Sequence, residues 1–154
     1  METLPKLYPC HLHSWFSLGD SVISPEKIEK RMDELGLEKT AVTDHGNLLH
    51  VIRFDAALQK ANKTLYPGEE FYFCTDASLK DAEHRAAYHL TIVAYNQDGL
   101  SSLYALSSLS YAEGFYFKPK VDMEMLKKHS KGLRVSSACI KGLIASNIID
   151  EDYE

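Results

Sequence analysis

Two histidines separated by one residue, His11 and His13, are the first pair in the chain whose spacing suits chemistry. Side chains alternate along a strand, so the two imidazoles of an extended HLH segment point the same way and can reach one ion. Zn, Mn and Fe all accept imidazole nitrogen as a ligand. An isolated HxH pair is about as often explained by packing or chance, so the interpretation depends on its companions.

Further ligand-type residues follow near the ends of predicted strands. Asp20 lies in SLGDS, where a turn aspartate is the simplest interpretation. His45 follows the apolar strand TAVT, in a TDHG segment that a glycine-closed turn would also explain. Glu70 and His89 open later strands, and Cys139 follows the last one, where a small buried residue is usual. Parallel α/β folds gather functional groups at the carboxyl ends of their strands, so together these residues favour a metal site.

The complete set is larger than one metal ion needs. About two or three ions lying a few ångström apart would use all of it, as in sites that hold the attacking and leaving oxygens of a phosphoester. The histidines in helical or charged stretches, His50, His84 and His129, are predicted to be surface residues. The predicted metal ligands are His11, His13, Asp20, His45, Glu70, His89 and Cys139.

Alternating helices and strands must position these residues. Ser24 is a favourable N-cap, Pro25 suits the first helical position, and Gly36 stands where that helix should end. Predicted strands at 7–12 and 40–43 flank this helix, which makes a βαβ unit and favours parallel pairing. The same pattern continues along the chain and predicts a single parallel α/β domain over residues 1–154. The further strands are predicted at 68–74, 89–95 and 133–138, and the further helices at 47–61, 100–110 and 140–149, with a polar loop or short helix at 76–87.

Composition excludes several classes of protein. The 154 residues are 45% hydrophobic and 25% charged, an ordinary globular balance. No apolar run approaches the ~20 residues that span a bilayer, and no signal-peptide pattern occurs, so we expect a cytoplasmic protein. Three scattered cysteines do not suggest a disulfide framework. The net charge of −5 argues against general duplex binding, although bound divalent metal reverses charge locally.

Six segments, in order along the chain, resemble the polymerase-and-histidinol-phosphatase (PHP) domain family. The resemblance covers about residues 8 to 149. TDHGN and EGFYFKP are similar to the form of this domain found at the amino terminus of bacterial DNA polymerase III α subunits. The segments are HLHSWFSLGDS, AVTDHGN, YPGEEFYF, YHLTIVAYNQDG, YAEGFYFKPKVD and SSACIKGLI.

The resemblance implies a distorted (β/α)7 barrel with a metal cluster at its carboxyl-end mouth. It implies metal-dependent phosphoesterase activity, which in some polymerases is 3′–5′ exonuclease proofreading. The family's ligands carry over to the seven residues named above, with His13, Asp20 and His45 expected to take part in catalysis. Some polymerase members have lost their ligands and keep the domain only as structure, whereas here each of these positions retains a ligand type.

Two further family ligands, an Asp and a His of a late DxH-type motif, are not in this sequence, and only five strands are predicted. We therefore expect an incomplete barrel, either a fragment or a short natural protein such as a phage product in a bacterial host. Its open edge would be covered by a second copy, a replication protein or the remainder of a polymerase.

Three functions remain open from the sequence. The first is metal-dependent phosphodiester hydrolysis at DNA 3′ ends, with basic residues near the site as phosphate contacts unless they are merely solvated. The second is a non-catalytic, metal-stabilised scaffold or partner-binding module in DNA replication. The third, a small-molecule phosphatase, is disfavoured by the polymerase-type segment EGFYFKPKVD. The basic residues considered are Arg53, Lys118 and Lys120.

Overall fold

The computed structural model describes residues 7–150, which contain five helices and six strands. The helices are α1 (Pro25–Glu34), α2 (Val51–Lys60), α3 (Gln97–Ala112), α4 (Met123–Lys128) and α5 (Leu143–Ile149). The strands are β1 (Lys39–His45), β2 (Thr64–Phe73), β3 (Tyr88–Ala94), β4 (Phe115–Tyr116), β5 (Lys118–Val121) and β6 (Leu133–Ser136). Within these residues, no helix is both long and apolar enough to cross a bilayer.

The sheet is mixed rather than parallel, with β2 at its centre. β1 runs parallel to β2 from Lys39 opposite Thr64 to His45 opposite Glu70, and β5 pairs in parallel with the end of β2. β3 is antiparallel to both β2 and β6, and β4 is antiparallel to β5. The prediction of a wholly parallel sheet is therefore wrong. A parallel pair needs a crossover, which α2 supplies between β1 and β2, whereas residues 74–87 contain no helix and the chain turns back.

Local capping explains where α1 begins and ends, whereas α2 begins without a side-chain cap. The Ser24 side chain accepts a hydrogen bond from Lys27 N, and Gly36 adopts a φ of +62° just after α1, as the sequence predicts. The predicted cap of α2 at Asn47 is wrong. The Asn47 side chain accepts from Leu49 N and donates to the His45 carbonyl, which forms a turn ahead of a helix that begins only at Val51.

Residues 7–12 do not form the predicted strand. Ala41 N donates to Pro9 O and Thr43 N donates to Leu12 O, so the segment lies beside β1. Pro9 has no N–H to give, and residues 10 and 11 bend, which interrupts a regular ladder. The sequence analysis also missed β4, β5 and α4, because a two-residue strand and a six-residue helix are too short to show a period.

Two apolar clusters hold the sheet in place. One joins α3 to β2, β3 and β5, and the other joins α1 and α2 to β1 and β2. Their fully buried members include Phe71, Leu103 and Leu106 in the first cluster and Phe54 and Leu58 in the second. This packing fixes the ends of β1 and β2, where His45 and Glu70 lie next to each other in register.

Candidate metal centre

Glu70 is the centre of a cluster that brings together all seven residues selected from the sequence. Its side chain is only 1% exposed. The Oε2 atom lies 2.9 Å from His11 Nε2, 3.0 Å from His13 Nε2 and 3.4 Å from His45 Nδ1. The segment beside β1 supplies His11 and His13, and β1 itself supplies His45. Three imidazoles from two neighbouring segments therefore meet one carboxylate oxygen.

The other members approach from the opposite side and from the rim. His89 Nδ1 contacts Glu70 Oε1. Cys139 Sγ lies 3.7 Å from the same oxygen and 3.6 Å from His89 Nδ1. Asp20 Oδ2 lies 3.3 Å from His45 Nε2, and its side chain is half exposed. The cluster is thus buried around Glu70 and open to solvent near Asp20.

The imidazoles keep the central carboxylate ionised. Burial opposes ionisation of Glu70, but hydrogen bonds from His13 and His11, with the charge of neighbouring histidines, lower its pKa to about 2. The bond to Glu70 also raises the pKa of His13 above its usual value. Burial dominates at His89 and lowers its pKa.

The donor set fits divalent metal ions. Within each of three overlapping groups, one nitrogen or oxygen atom from every residue lies within 4.8 Å of the others. His45 Nδ1 is buried and has no hydrogen-bond partner within residues 7–150, as expected for a nitrogen that binds an ion. Imidazole, carboxylate and thiolate together suit Zn, Mn or Fe. The groups are His11, His13 and Glu70; His13, Asp20 and His45; and His45, Glu70 and His89.

A buried aspartate next to His45 supports the cluster without belonging to it. Asp44 accepts hydrogen bonds of 2.7 Å from Ser14 N, 2.6 Å from Ser14 Oγ and 2.6 Å from Ser17 Oγ. Ser17 Oγ in turn accepts from His45 N at 3.1 Å and lies 3.4 Å from His13 Nδ1. Asp44 therefore ties the segment that carries His13 to the end of β1. The sequence analysis did not separate Asp44 from His45, although strand alternation places them on opposite faces.

Asp44 also explains why one histidine prediction is wrong. His50 is fully buried, and its Nδ1 lies 2.9 Å from Asp44 Oδ2. Burial raises the pKa of Asp44, but hydrogen bonds from His50, Ser14 and Ser17 outweigh it and the net shift is downward. His84 and His129, also predicted to be surface residues, are half-buried.

We expect Asp44→Ala to destabilise the protein by about 3–5 kcal/mol, because it leaves a buried amide and two hydroxyls without their acceptor. Urea denaturation measures this loss. Asp98→Ala is the matched control: its exposed ion pair with Lys131, at 3.0 Å, should contribute less than about 1 kcal/mol. Equal, small losses in the two variants would contradict the supporting role of Asp44.

An aromatic ring and a lysine border the cluster. The Tyr72 ring is stacked at 6.4 Å from the ring of His45 and meets that of His89 edge-on at 5.4 Å. Lys118 Nζ lies 4.2 Å above Tyr72. The sequence analysis missed Tyr72, although alternation along β2 places it on the same face as Glu70.

The other two basic residues considered as phosphate contacts lie elsewhere. Lys120 is fully buried, and its Nζ donates to the His84 carbonyl at 2.5 Å. It is therefore neither a phosphate contact nor a solvated charge, the two interpretations left open by the sequence. Arg53 is exposed on α2.

Comparison with known proteins identifies the family. Residues 9–154 match the family described as the PHP domain. The chain belongs to the PHP domain family. The resemblance inferred from the sequence is thereby confirmed. The α/β class is confirmed as well, although the sheet is mixed rather than parallel.

Curated relatives of this PHP domain are DNA polymerase III α subunits. The protein of Helicobacter pylori strain 26695 is 40% identical over 132 residues, which cover 86% of this chain and 11% of the relative. The protein of Aquifex aeolicus is 38% identical, covering 86% and 12%, and that of Borreliella burgdorferi is 37% identical, covering 94% and 13%. The PHP domain described here thus spans about an eighth of the length of these relatives.

Solved structures with similar folds are more distant from this PHP domain. A putative metal-dependent phosphoesterase from Bifidobacterium adolescentis is 19% identical, with a TM-score of 0.48, covering 71% of this chain and 35% of that one. An amidohydrolase from Chromobacterium violaceum is also 19% identical, with a TM-score of 0.46, covering 68% and 33%.

Proposed function

We propose that this PHP domain is a metal-dependent phosphoesterase whose cluster holds about two or three divalent ions. One observation carries the proposal: four imidazoles and a thiol surround the buried carboxylate of Glu70. Buried charges in proteins are paired or coordinate metals, and a bound ion would satisfy these converging ligand groups together. The three ligand groups share residues and so describe neighbouring positions in one cluster.

The residues divide the work of such a site between them. Bound divalent ions polarise a phosphoester and lower the pKa of coordinated water. Glu70 supplies permanent negative charge, since a pKa of about 2 keeps it ionised at any physiological pH. His13, Asp20 and His45 are the residues we propose to face the substrate, since His13 and His45 lie 3.8 Å and 3.3 Å from the exposed Asp20. Ser17 and Asp44 hold His13 and His45 in place.

As substrate we propose the 3′ end of single-stranded or frayed DNA, hydrolysed as by a 3′–5′ exonuclease. The relatives are DNA polymerase subunits, and the cluster opens beside Lys118 and Asp20. A net charge of −5 disfavours a long duplex, whereas a strand end needs few phosphate contacts. We place the activity in the cytoplasm of a bacterium, or of a bacterial host if a phage encodes the chain.

A second candidate function, a metal-stabilised scaffold in DNA replication, is favoured by an apolar surface at α5. Ile144, Ile148 and Ile149 are each more than half exposed, as is Val135 on β6. In this alternative the mixed sheet is part of an incomplete (β/α)7 barrel. A replication protein, the remainder of a polymerase or a second copy of the chain covers that surface.

Hydrolysis of a labelled single-stranded oligonucleotide, after loading with Zn, Mn or Fe, separates the candidates. We expect the protein to shorten the strand from its 3′ end, and His13→Ala to lower the rate by at least about 100-fold. His129→Ala, outside the cluster, should keep the full rate. Metal binding without hydrolysis would favour the scaffold, and phosphate release only from monoesters would favour a small-molecule phosphatase.

A further inference from the structure

A hairpin beside the cluster holds an aromatic ring outward in an unfavourable backbone conformation. Phe117 joins β4 to β5, and its φ is +59°, in the left-handed region that bulky residues rarely adopt. Its side chain is also exposed, with a relative accessibility of 61%. A large apolar residue that is both strained and exposed adds nothing to the core, and such positions tend to serve function.

The ring has a cationic partner that the fold anchors. The Arg85 guanidinium lies 4.2 Å above the centre of the Phe117 ring. Arg85 follows His84, whose carbonyl accepts the hydrogen bond from the buried Lys120. Lys120 is itself on β5, one strand position beyond Pro119, so its ammonium joins the 76–87 loop to the hairpin. Arg85 and Phe117 are therefore held together by a buried contact.

These residues continue the rim of the metal centre. Lys118 is the next residue after Phe117, and its ammonium lies above Tyr72, which contacts the rings of His45 and His89. Outward from the cluster, the surface thus presents the Tyr72 ring, then the Lys118 charge, then the Phe117 ring capped by Arg85. Arg85 and Lys118 line one shallow cavity, and Glu83 on the same loop lines it with them.

We propose that this strip is a stacking platform for single-stranded nucleic acid. Lys118 contacts a backbone phosphate, and the paired Phe117 and Arg85 planes stack on the base of a nucleotide next to the strand end. Rings and cations alternate in the strip as bases and phosphates alternate in a strand, and stacking of this kind tolerates any base. That the strand end reaches the metal centre for hydrolysis rests on the proposed function. Binding of the strand to Phe117, Arg85 and Lys118 does not.

Phe117→Gly tests the platform at little cost to folding, because glycine adopts the left-handed backbone conformation without strain. We expect this variant to unfold at the same or a higher temperature than the parent. In fluorescence anisotropy with a labelled oligothymidine, in chelator and low salt, its affinity should fall about tenfold or more through loss of one stacked base. Phe117→Trp should retain the affinity.

Matched variants complete this experiment. Tyr104→Ala removes another exposed ring, on α3, and should bind like the parent. Lys118→Ala should weaken binding and reduce the salt dependence by about one phosphate contact, whereas Lys60→Ala should not. Parent-like binding by Phe117→Gly, or no binding by the folded parent protein, would overturn the proposal.

Hydrolysis of bis(p-nitrophenyl) phosphate distinguishes failure of the platform from failure of the proposed function. This small diester needs the cluster but not the strip, so His13→Ala should lose the activity and Phe117→Gly should keep it. Phe117-dependent binding without any hydrolysis would leave the platform standing and refute the phosphoesterase. Hydrolysis by a protein whose binding of the oligonucleotide does not depend on Phe117 would support the phosphoesterase and refute the platform.

Discussion

Protein purified without a tag or added metal is expected to contain about two or three equivalents of Zn, Mn or Fe, and Glu70→Gln to lose them. Glu70 contacts His11, His13, His45 and His89 through its two oxygens. Glutamine keeps the shape of the side chain but removes its negative charge. The histidines would then have to hold the ions without the central carboxylate. We expect the affinity of the cluster for these ions to fall at least about 100-fold. The variant should then retain little metal, which elemental mass spectrometry measures as the ratio of metal to protein.

The neighbouring residue offers a matched control for this experiment. Glu69→Gln makes the same chemical change one position earlier on β2, on the opposite face of the strand, and should leave metal content unchanged. His13→Ala should lose metal as Glu70→Gln does. A single equivalent in the parent protein would indicate a partial, structural site. Metal-free parent protein, folded and untreated with chelator, would falsify the phosphoesterase proposal for this chain.

The sequence predicts that the site residues meet in one cluster because they lie at or near the ends of strands. His45 and Glu70 end up opposite each other because β1 and β2 pair in parallel, and the βαβ pattern with α2 between them indicates that pairing. His11 and His13 reach the same point even though residues 7–12 are not a strand, because backbone hydrogen bonds from β1 to Pro9 and Leu12 still hold the segment beside β1. The two histidines therefore need only lie beside β1 to reach the cluster, and a regular strand is not required.

Pairing direction and the surroundings of single polar residues could not be predicted. His89 lies near the start of β3 as expected, one residue after Tyr88. However, β3 is antiparallel to β2, and no local sequence pattern indicates the direction of a neighbouring strand. Lys120 looks like a surface residue in sequence because lysine is almost never fully buried, and His50 does so because it lies in a predicted helix. Each is buried only because a distant group, the His84 carbonyl or Asp44, provides its partner. Long-range pairing of this kind has no signal in sequence spacing.

Two adjacent carboxylates on β2, Glu69 and Glu70, have very different pKa values because they lie on opposite faces of the strand. Glu70 faces the histidines, and its pKa is lowered to about 2, whereas the pKa of Glu69 is raised to about 8. Burial is the main cause at Glu69, and repulsion from Asp44 adds to it, while interaction with Ser107 opposes it. Neither carboxylate oxygen of Glu69 has a well-aligned hydrogen-bond partner within the described residues. At neutral pH the protein therefore favours a protonated carboxyl at Glu69 directly beside the ionised carboxylate of Glu70.

Glu69→Gln is expected to make the protein more stable than its parent at alkaline pH. The pKa of Glu69 is about 8 in the folded state and near its ordinary value of 4.5 when unfolded, so folding opposes its ionisation. Its contribution is fully present below pH 4.5 and is lost as the pH rises through 8, by at most ~5 kcal/mol. Glutamine does not titrate, so it avoids this loss.

Urea denaturation at pH 5 and pH 9 measures the difference in stability between Glu69→Gln and the parent. The experiment is done in chelator, because bound ions would lower the pKa of Glu69. The two proteins should unfold at similar urea concentrations at pH 5, and Glu69→Gln should unfold at a clearly higher concentration at pH 9. Glu38→Gln, exposed before β1, should follow the parent at both values. If the stability of Glu69→Gln fell with pH in parallel with that of the parent, ionisation of Glu69 would not be what limits alkaline stability. The deprotonated carboxylate would then have a partner, such as Ser107, strong enough to offset its burial.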